Sequence, residues 1–305
     1  MRLRGYLLVL AAAAQWGLIG PVAKVAFAAG MPPLTLAFWR VCLGWLLFAC
    51  LAVRRREATV RPADLPMLLA FGVSGIAGLF GSLALAVDAG GAALAAVLLY
   101  TAPAWVALLA RLFFREPMGP GKLTAVALTM LGVAGVSFGQ GGTGAAAIGA
   151  PAILYGLLSG LTYALYYIFG KHFLTRYTTT TIFLYAMPAG ALVLAPFVAY
   201  QSYPWQAWLA VGVMALVCTF GAYLAYYAGL KHLEATRAAV VATLEPVVAA
   251  VLAYVMWDET FGPLGYCGSA LILAGVLLAM FEGERLSRAA SGLLGRKKAA
   301  RETRS

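Results

Sequence analysis

The chain has 305 residues, 63% of them hydrophobic and only 11% charged, with a mean hydropathy of +0.88. A soluble domain is about half apolar and about a quarter charged, so no water-facing fold of this length could cover so much apolar surface, and a lipid bilayer is the solvent that fits. The net charge of +11 comes without any basic stripe interleaved with aromatics, which excludes a nucleic-acid partner.

Ten apolar runs follow one another, at about 6–28, 34–53, 65–87, 91–114, 121–138, 148–171, 179–200, 204–229, 235–257 and 262–281. They are continuously apolar over about 20 residues, the length of a helical span rather than of a barrel strand. The expected fold is an all-α polytopic membrane protein of ten transmembrane helices with short connections. The first run is too long for a signal-peptide core and lacks a cleavage site, so it is read as retained. Cys42, Cys50, Cys218 and Cys267 fall inside apolar runs without a C-x-x-C spacing, and read as small core hydrophobes.

Every Lys and Arg except Lys24 and Arg40 lies before the first run, within or flanking alternate connections, or in the tail. The remaining connections, including "QGGTGAA" and "QSYP", carry none. Basic residues are retained on the cytoplasmic side, which predicts a multi-pass protein of the cell (inner) membrane with both termini cytoplasmic. Lys24 and Arg40 lie within the first two spans and are expected to snorkel to the outer surface. Pairing of Arg40 with Asp88, or with an anionic substrate group, is the alternative.

An offset of 143 places Pro103 on Pro246, Glu116 on Glu259, Gly119 on Gly262, Pro120 on Pro263, Gly132 on Gly275 and Gly78 on Gly221. A nearby offset of 147 places Lys24 on Lys171 and Trp16 on Tyr163. Coincident Pro, Glu and Gly at one offset mark two copies of one unit. The expected organisation is a first repeat over 1–146, a second over 147–284 and a basic cytoplasmic tail over 285–305. Each copy has five spans, an odd number, so the second is inverted in the membrane relative to the first. Inverted repeats are a hallmark of transporters that work by alternating access, with the site near the midplane.

The copies "AAVLLYTAPAWVALLARLFFREPMG" and "AAVVATLEPVVAAVLAYVMWDETFG" share the pattern A-x-x-x-P…E-x-x-G. With the five-plus-five layout, they make the chain resemble the EamA-type permeases of the drug/metabolite transporter superfamily, over residues 5–281. The resemblance implies a permease for a small metabolite, most simply an amino acid or a related compound, moved outward. Uptake of a carboxylate, a nucleoside or a drug-like cation is the alternative within transport. An intramembrane enzyme would need an acid–base or metal pair, and one mid-span Glu without His or Asp nearby argues against it. No metal or cofactor is expected, and no G-x-x-x-x-G-K encodes ATP-driven transport.

Glu245 is the sharpest candidate, because a carboxylate at mid-bilayer costs at least about 2.5 kcal/mol and usually faces the bundle interior. It is expected to bind a cationic or amino group or to take a proton, or else to be a structural acid bonded across helices. Pro103 and Pro246 are expected to kink their helices and serve as gates. Mid-span Tyr is costly against lipid because its hydroxyl needs a partner. Trp16, Ser82, Tyr100, Ser159, Tyr163, Tyr166, Tyr223 and Tyr227 are therefore expected to join Glu245 around a substrate cavity. Gly17, Gly20, Gly72, Gly75, Gly78 and Gly81 read as sites of close helix packing.

Overall fold

A computed structural model describes residues 2–139, 149–257 and 262–281, and among them there is no strand. The "QGGTGAA" connection from residue 140, Asp258, Glu259 and the basic tail lie outside the described residues. Helix α1 spans Leu3–Ala28 and α2 spans Pro33–Arg55. The next stretch, Pro62–Leu99, is far too long for one crossing. It contains Gly91 at φ +80°, ψ 162°, a backbone that only glycine adopts cheaply. The chain turns there into two arms, α3 (62–90) and α4 (92–114). Five further helices of the bundle are α5 (Pro120–Gly139), α6 (Ala150–Phe173), α7 (Thr179–Leu194), α8 (Trp205–Leu230) and α10 (Pro263–Phe281). Between the last two, α9 runs over 235–257 in two pieces, Ala235–Ala242 and Glu245–Trp257. The ten expected spans are all present.

Helix α6 proves the turn at Gly91, because it packs on both arms. A Cβ on Gly90 would meet Ala152 and one on Gly78 would meet Thr162, an antiparallel course along α3. A Cβ on Gly156 would meet Leu98 and one on Gly160 would meet Thr101, a parallel course along α4.

The two halves are also related in space. A Cβ on Gly132 of α5 would press on the Gly268 carbonyl oxygen at 2.6 Å and on Ile272 at 2.7 Å; one on Gly275 of α10 would press on Thr129 at 2.8 Å and on the Ala125 oxygen at 2.9 Å. Adding 143 to 125, 129 and 132 gives 268, 272 and 275, so the seam between α5 and α10 is self-complementary, as at a two-fold axis. A second pair agrees. Gly78 abuts Thr162, while Gly221 abuts Gln15, related by the offsets 143 and 147. Each of these regions carries a π-helical stretch, Gly72–Gly78 in α3 and Met214–Gly221 in α8.

The inversion is visible at the basic end. Gly5, at the start of α1, lies against His232 and Gly229, while Lys171, at the end of α6, donates to the carbonyls of Leu230 and Leu233. Helix α1 therefore leaves the end at which its counterpart α6 arrives. The connections around Asp64 and Arg176, 3.0 Å apart, meet at the same end. At the opposite end the backbone N–H of Ala199 donates to the Thr35 hydroxyl at 3.0 Å.

The flanks of the bundle are apolar, with Val53, Leu112, Leu192 and Val255 each more than two-thirds exposed. Such flanks require hydrocarbon around them, and the chain is a multi-pass membrane protein. The cysteines depart in part from their expected place: Cys218 is buried, but Cys50 and Cys267 are exposed on the flanks, where lipid suits a thiol as well as a core does. Of the glycines expected to pack closely, Gly20 and Gly81 have open space where a Cβ would go. Gly17, Gly72, Gly75 and Gly78 do pack closely; a Cβ on Gly72 would come within 2.0 Å of the Ala186 oxygen.

Candidate binding cavity

Helices α4 and α9 are broken midway rather than bent. The first piece of α4 ends at Leu99 and the second begins at Ala102; α9 pauses at Thr243 and Leu244 and resumes at Glu245. At both breaks the backbone tightens to three-residue turns, Thr101 N–H to Leu98 O at 3.2 Å and Thr243 N–H to Val240 O at 3.1 Å. In both, a threonine hydroxyl donates to the same carbonyl, Thr101 to Leu98 at 2.6 Å and Thr243 to Val240 at 2.5 Å. Pro103 and Pro246 then sit in the first turn of the second pieces. There the missing N–H would have had no helical partner and the fixed φ favours helix. The expected proline kink is thus a break placed just ahead of the proline.

Beside these breaks lies a cavity of ≈ 120 Å³, well above the roughly 10–15 Å³ that a single water needs. Glu245 opens the second piece of α9 and reaches it. The hydroxyl of Tyr163 donates to Glu245 Oε2 at 3.5 Å, and Tyr100 also hydrogen-bonds the carboxylate. Trp16 from α1, Tyr163 and Tyr166 from α6, and Tyr223 from α8 line the cavity. Leu79, Phe80 and Leu83 of α3 and Leu99 of α4 supply most of the apolar wall.

Arg40 completes the lining, where the first expectation has it snorkelling to the outer surface. It does not snorkel, and it is only 4% exposed. Its Nε donates to the Thr219 hydroxyl at 3.2 Å, within the π-helical stretch of α8, and its guanidinium lies over the Phe80 ring at 5.0 Å. Asp88, its other expected partner, is exposed. A signal was present in the sequence. Ala37, Val41, Gly44, Phe48 and Ala52 recur at helical spacing and are all buried, and Arg40 shares that face.

Four expected lining residues are not part of the wall: Tyr100 meets Glu245 without lining the cavity, and Ser82, Ser159 and Tyr227 lie elsewhere. The hydroxyls of Ser82 and Ser159 donate backwards to Gly78 O at 2.6 Å and Gly156 O at 2.7 Å, the usual recourse of a helical serine in an apolar setting. Tyr227 is fully buried and donates to the Tyr166 carbonyl at 3.1 Å. It belongs to an aromatic plug with Phe71, Tyr167, Phe183 and Tyr226, all at most 2% exposed, between the cavity and the basic end. Tyr226 meets Trp16 at a ring separation of 5.2 Å, so the plug abuts the cavity.

Below the plug, ion pairs close the basic end. Glu116, which follows α4, is 7% exposed and caps the start of α9; it accepts from Ala235 N–H at 2.7 Å and from the Thr236 hydroxyl at 2.9 Å. A carboxylate at a helix N-terminus meets both free N–H groups and the positive end of the dipole. Lys122 and Arg237 reach Glu234 at 2.7 and 2.6 Å. Burial pushes the Glu234 carboxyl up, but the hydrogen bonds from Lys122 and Arg237 outweigh it and hold the group below the usual carboxylate range.

The chain matches the EamA-like transporter family twice, over residues 3–138 and 150–281, and it belongs to that family. It is similar to the uncharacterized inner membrane transporter YicL of Salmonella typhimurium, at 24% identity over 94% of this chain and 98% of that one. An uncharacterized transporter of Archaeoglobus fulgidus is 26% identical over 82% of this chain and 89% of the relative. A probable terminal-alkyne amino-acid exporter of Streptantibioticus cattleyicolor is 29% identical over 75% of this chain and 76% of the relative. In one solved crystal structure the same fold recurs with a TM-score of 0.80 at 19% identity, covering 94% of this chain and 99% of that chain.

Proposed function

We propose that this transporter moves an amino acid or a closely related compound out of the cell by alternating access, with Glu245 in the cavity between the two broken helices as its polar anchor. The observation that carries the reading is the cavity itself: it lies at mid-depth beside both breaks and is apolar except for a few convergent polar groups. The relative from S. cattleyicolor, a probable amino-acid exporter, supports the substrate class and the direction. With the basic end cytoplasmic, the plug and the ion pairs lie between the cavity and the inner side.

Counterflow tests the reading. Purified protein in liposomes loaded with an unlabelled L-amino acid is expected to accumulate the same labelled amino acid saturably; absence of counterflow across the twenty standard amino acids would overturn it. Orientation has its own test, in a background lacking Cys42, Cys50, Cys218 and Cys267. In intact cells Ser202→Cys, in the exposed "QSYP" connection, is expected to react with an impermeant thiol reagent and Arg56→Cys to stay unlabelled. The opposite pattern inverts the topology and with it the direction.

A further inference from the structure

Two opposite charges face the cavity without forming an ion pair with each other. Arg40 comes from the first repeat and Glu245 from the second, and the ion pairs among the described residues do not join them. The partners of each are neutral. Arg40 has the Thr219 hydroxyl, the Phe80 ring and a hydrogen bond with Tyr223; Glu245 has the hydroxyls of Tyr163 and Tyr100, the former at the limit of hydrogen-bond range. A guanidinium carries five N–H donors and a carboxylate about four acceptor sites, so both keep unused capacity. Tyr166, 2% exposed, brings a further hydroxyl to the same wall.

Buried charges that are left uncompensated are costly, and a ligand that matches both removes both penalties. A simple amine would answer Glu245 and leave Arg40 unmatched, and a simple carboxylate would do the reverse. A zwitterion answers both. The rest of the wall, Leu79, Phe80, Leu83 and Trp16 among it, offers mostly apolar and aromatic surface to a side chain. We infer that the cavity selects a zwitterionic amino acid with an apolar or aromatic side chain, with Arg40 holding the carboxylate and Glu245 the ammonium group. This assignment rests on the amino-acid reading above and adds Arg40 as the residue that specifies a carboxylate.

Equilibrium binding to detergent-purified protein, with L-phenylalanine, phenethylamine and 3-phenylpropanoate as probes, tests it. Wild type is expected to bind L-phenylalanine about 10- to 100-fold more tightly than either analogue, the value of one charge-assisted hydrogen bond. L-Lysine and L-glutamate are expected to bind more weakly than L-phenylalanine. Arg40→Gln is expected to erase the preference over phenethylamine while keeping that over 3-phenylpropanoate, and Glu245→Gln to do the opposite. Arg40→Lys keeps the charge and is expected to restore part of the preference. The wild-type series needs no variant to fold: equal affinity for L-phenylalanine and phenethylamine overturns the role of Arg40 by itself. If L-phenylalanine binds selectively but Arg40→Gln discriminates as wild type does, the carboxylate assignment falls and amino-acid transport stands. If wild type binds none of the amino acids and shows no counterflow, both readings fall.

Discussion

The breaks in α4 and α9 have the same backbone and different chemistry. Both tighten to a three-residue turn, both are closed by a threonine hydroxyl and both place a proline in the following turn. Yet the residue before the proline is Ala102 in one and Glu245 in the other. Ala102 is 1% exposed and packed, whereas Glu245 meets the Tyr163 hydroxyl and the cavity. The duplication supplies the geometry, and the departure from it supplies a charge. Symmetry suits a motion that must work from both sides; asymmetry suits a single binding site that both sides share.

Placing the acid in the other copy tests this most severely. Ala102→Glu is expected to lose at least about 3 kcal/mol, from burying a carboxylate without a partner and overfilling a packed site. The yield of monodisperse protein would collapse; a well-folded variant would show the two breaks to be chemically equivalent. Glu116→Ala, which uncaps the first piece of α9, is expected to cost about 1–3 kcal/mol. It should lower Tm and expose a reporter at Tyr226→Cys to thiol reagents from the basic end, and an unchanged reporter would separate the cap from closure. Thr101→Val and Thr243→Val each remove one hydrogen bond, worth about 0.5–1.5 kcal/mol. Equal losses in chemical denaturation mean that the breaks are built alike, and unequal losses mean that the α9 break leans on Glu245 instead. Pro103→Ala and Pro246→Ala are expected to change stability by less than about 1 kcal/mol, because neither proline forfeits a helical hydrogen bond. Both should slow counterflow by letting the helix run on, with binding retained; rates equal to wild type would leave the prolines without a role in gating.

Acid separates the cavity from the basic end. Glu234 is held below its ordinary value, so it is more acidic folded than unfolded. The stability it contributes is present above the unfolded value, near pH 4.3, and is lost only as pH falls through the folded one. Closure at the basic end, read with the same Tyr226→Cys reporter, is therefore expected to be constant between pH 5 and 8. Opening within that window would mean that another group holds the end shut.

The ten spans, the repeat and the sorting of basic residues were legible in the sequence because each depends on many residues at once. Glu245 was legible because an acid in an apolar run has few places to go. The cavity was legible only in part. Trp16, Tyr163, Tyr166 and Tyr223 line it, but Ser82 and Ser159 turn to their own helices, and no pattern distinguishes a serine that faces a cavity from one bonded to the carbonyl three or four residues back. Arg40 was misread because its depth was counted along α2 while its direction around the helix was not; the buried stripe from Ala37 to Ala52 held that information. The turn at Gly91 and the π-helical stretches depend on how neighbours pack, and the glycines that permit them resemble those that merely allow close contact.

The self-complementary seam between α5 and α10 also bears on assembly. Gly132 meets Ile272 while Gly275 meets Thr129, the reciprocal contact that two identical subunits make across a dyad. Within one chain it works as a fused homodimer interface. The halves, made as separate polypeptides, would carry the surface on which to find each other. The first half alone would offer that surface to a second copy of itself, provided the second copy entered the membrane upside down.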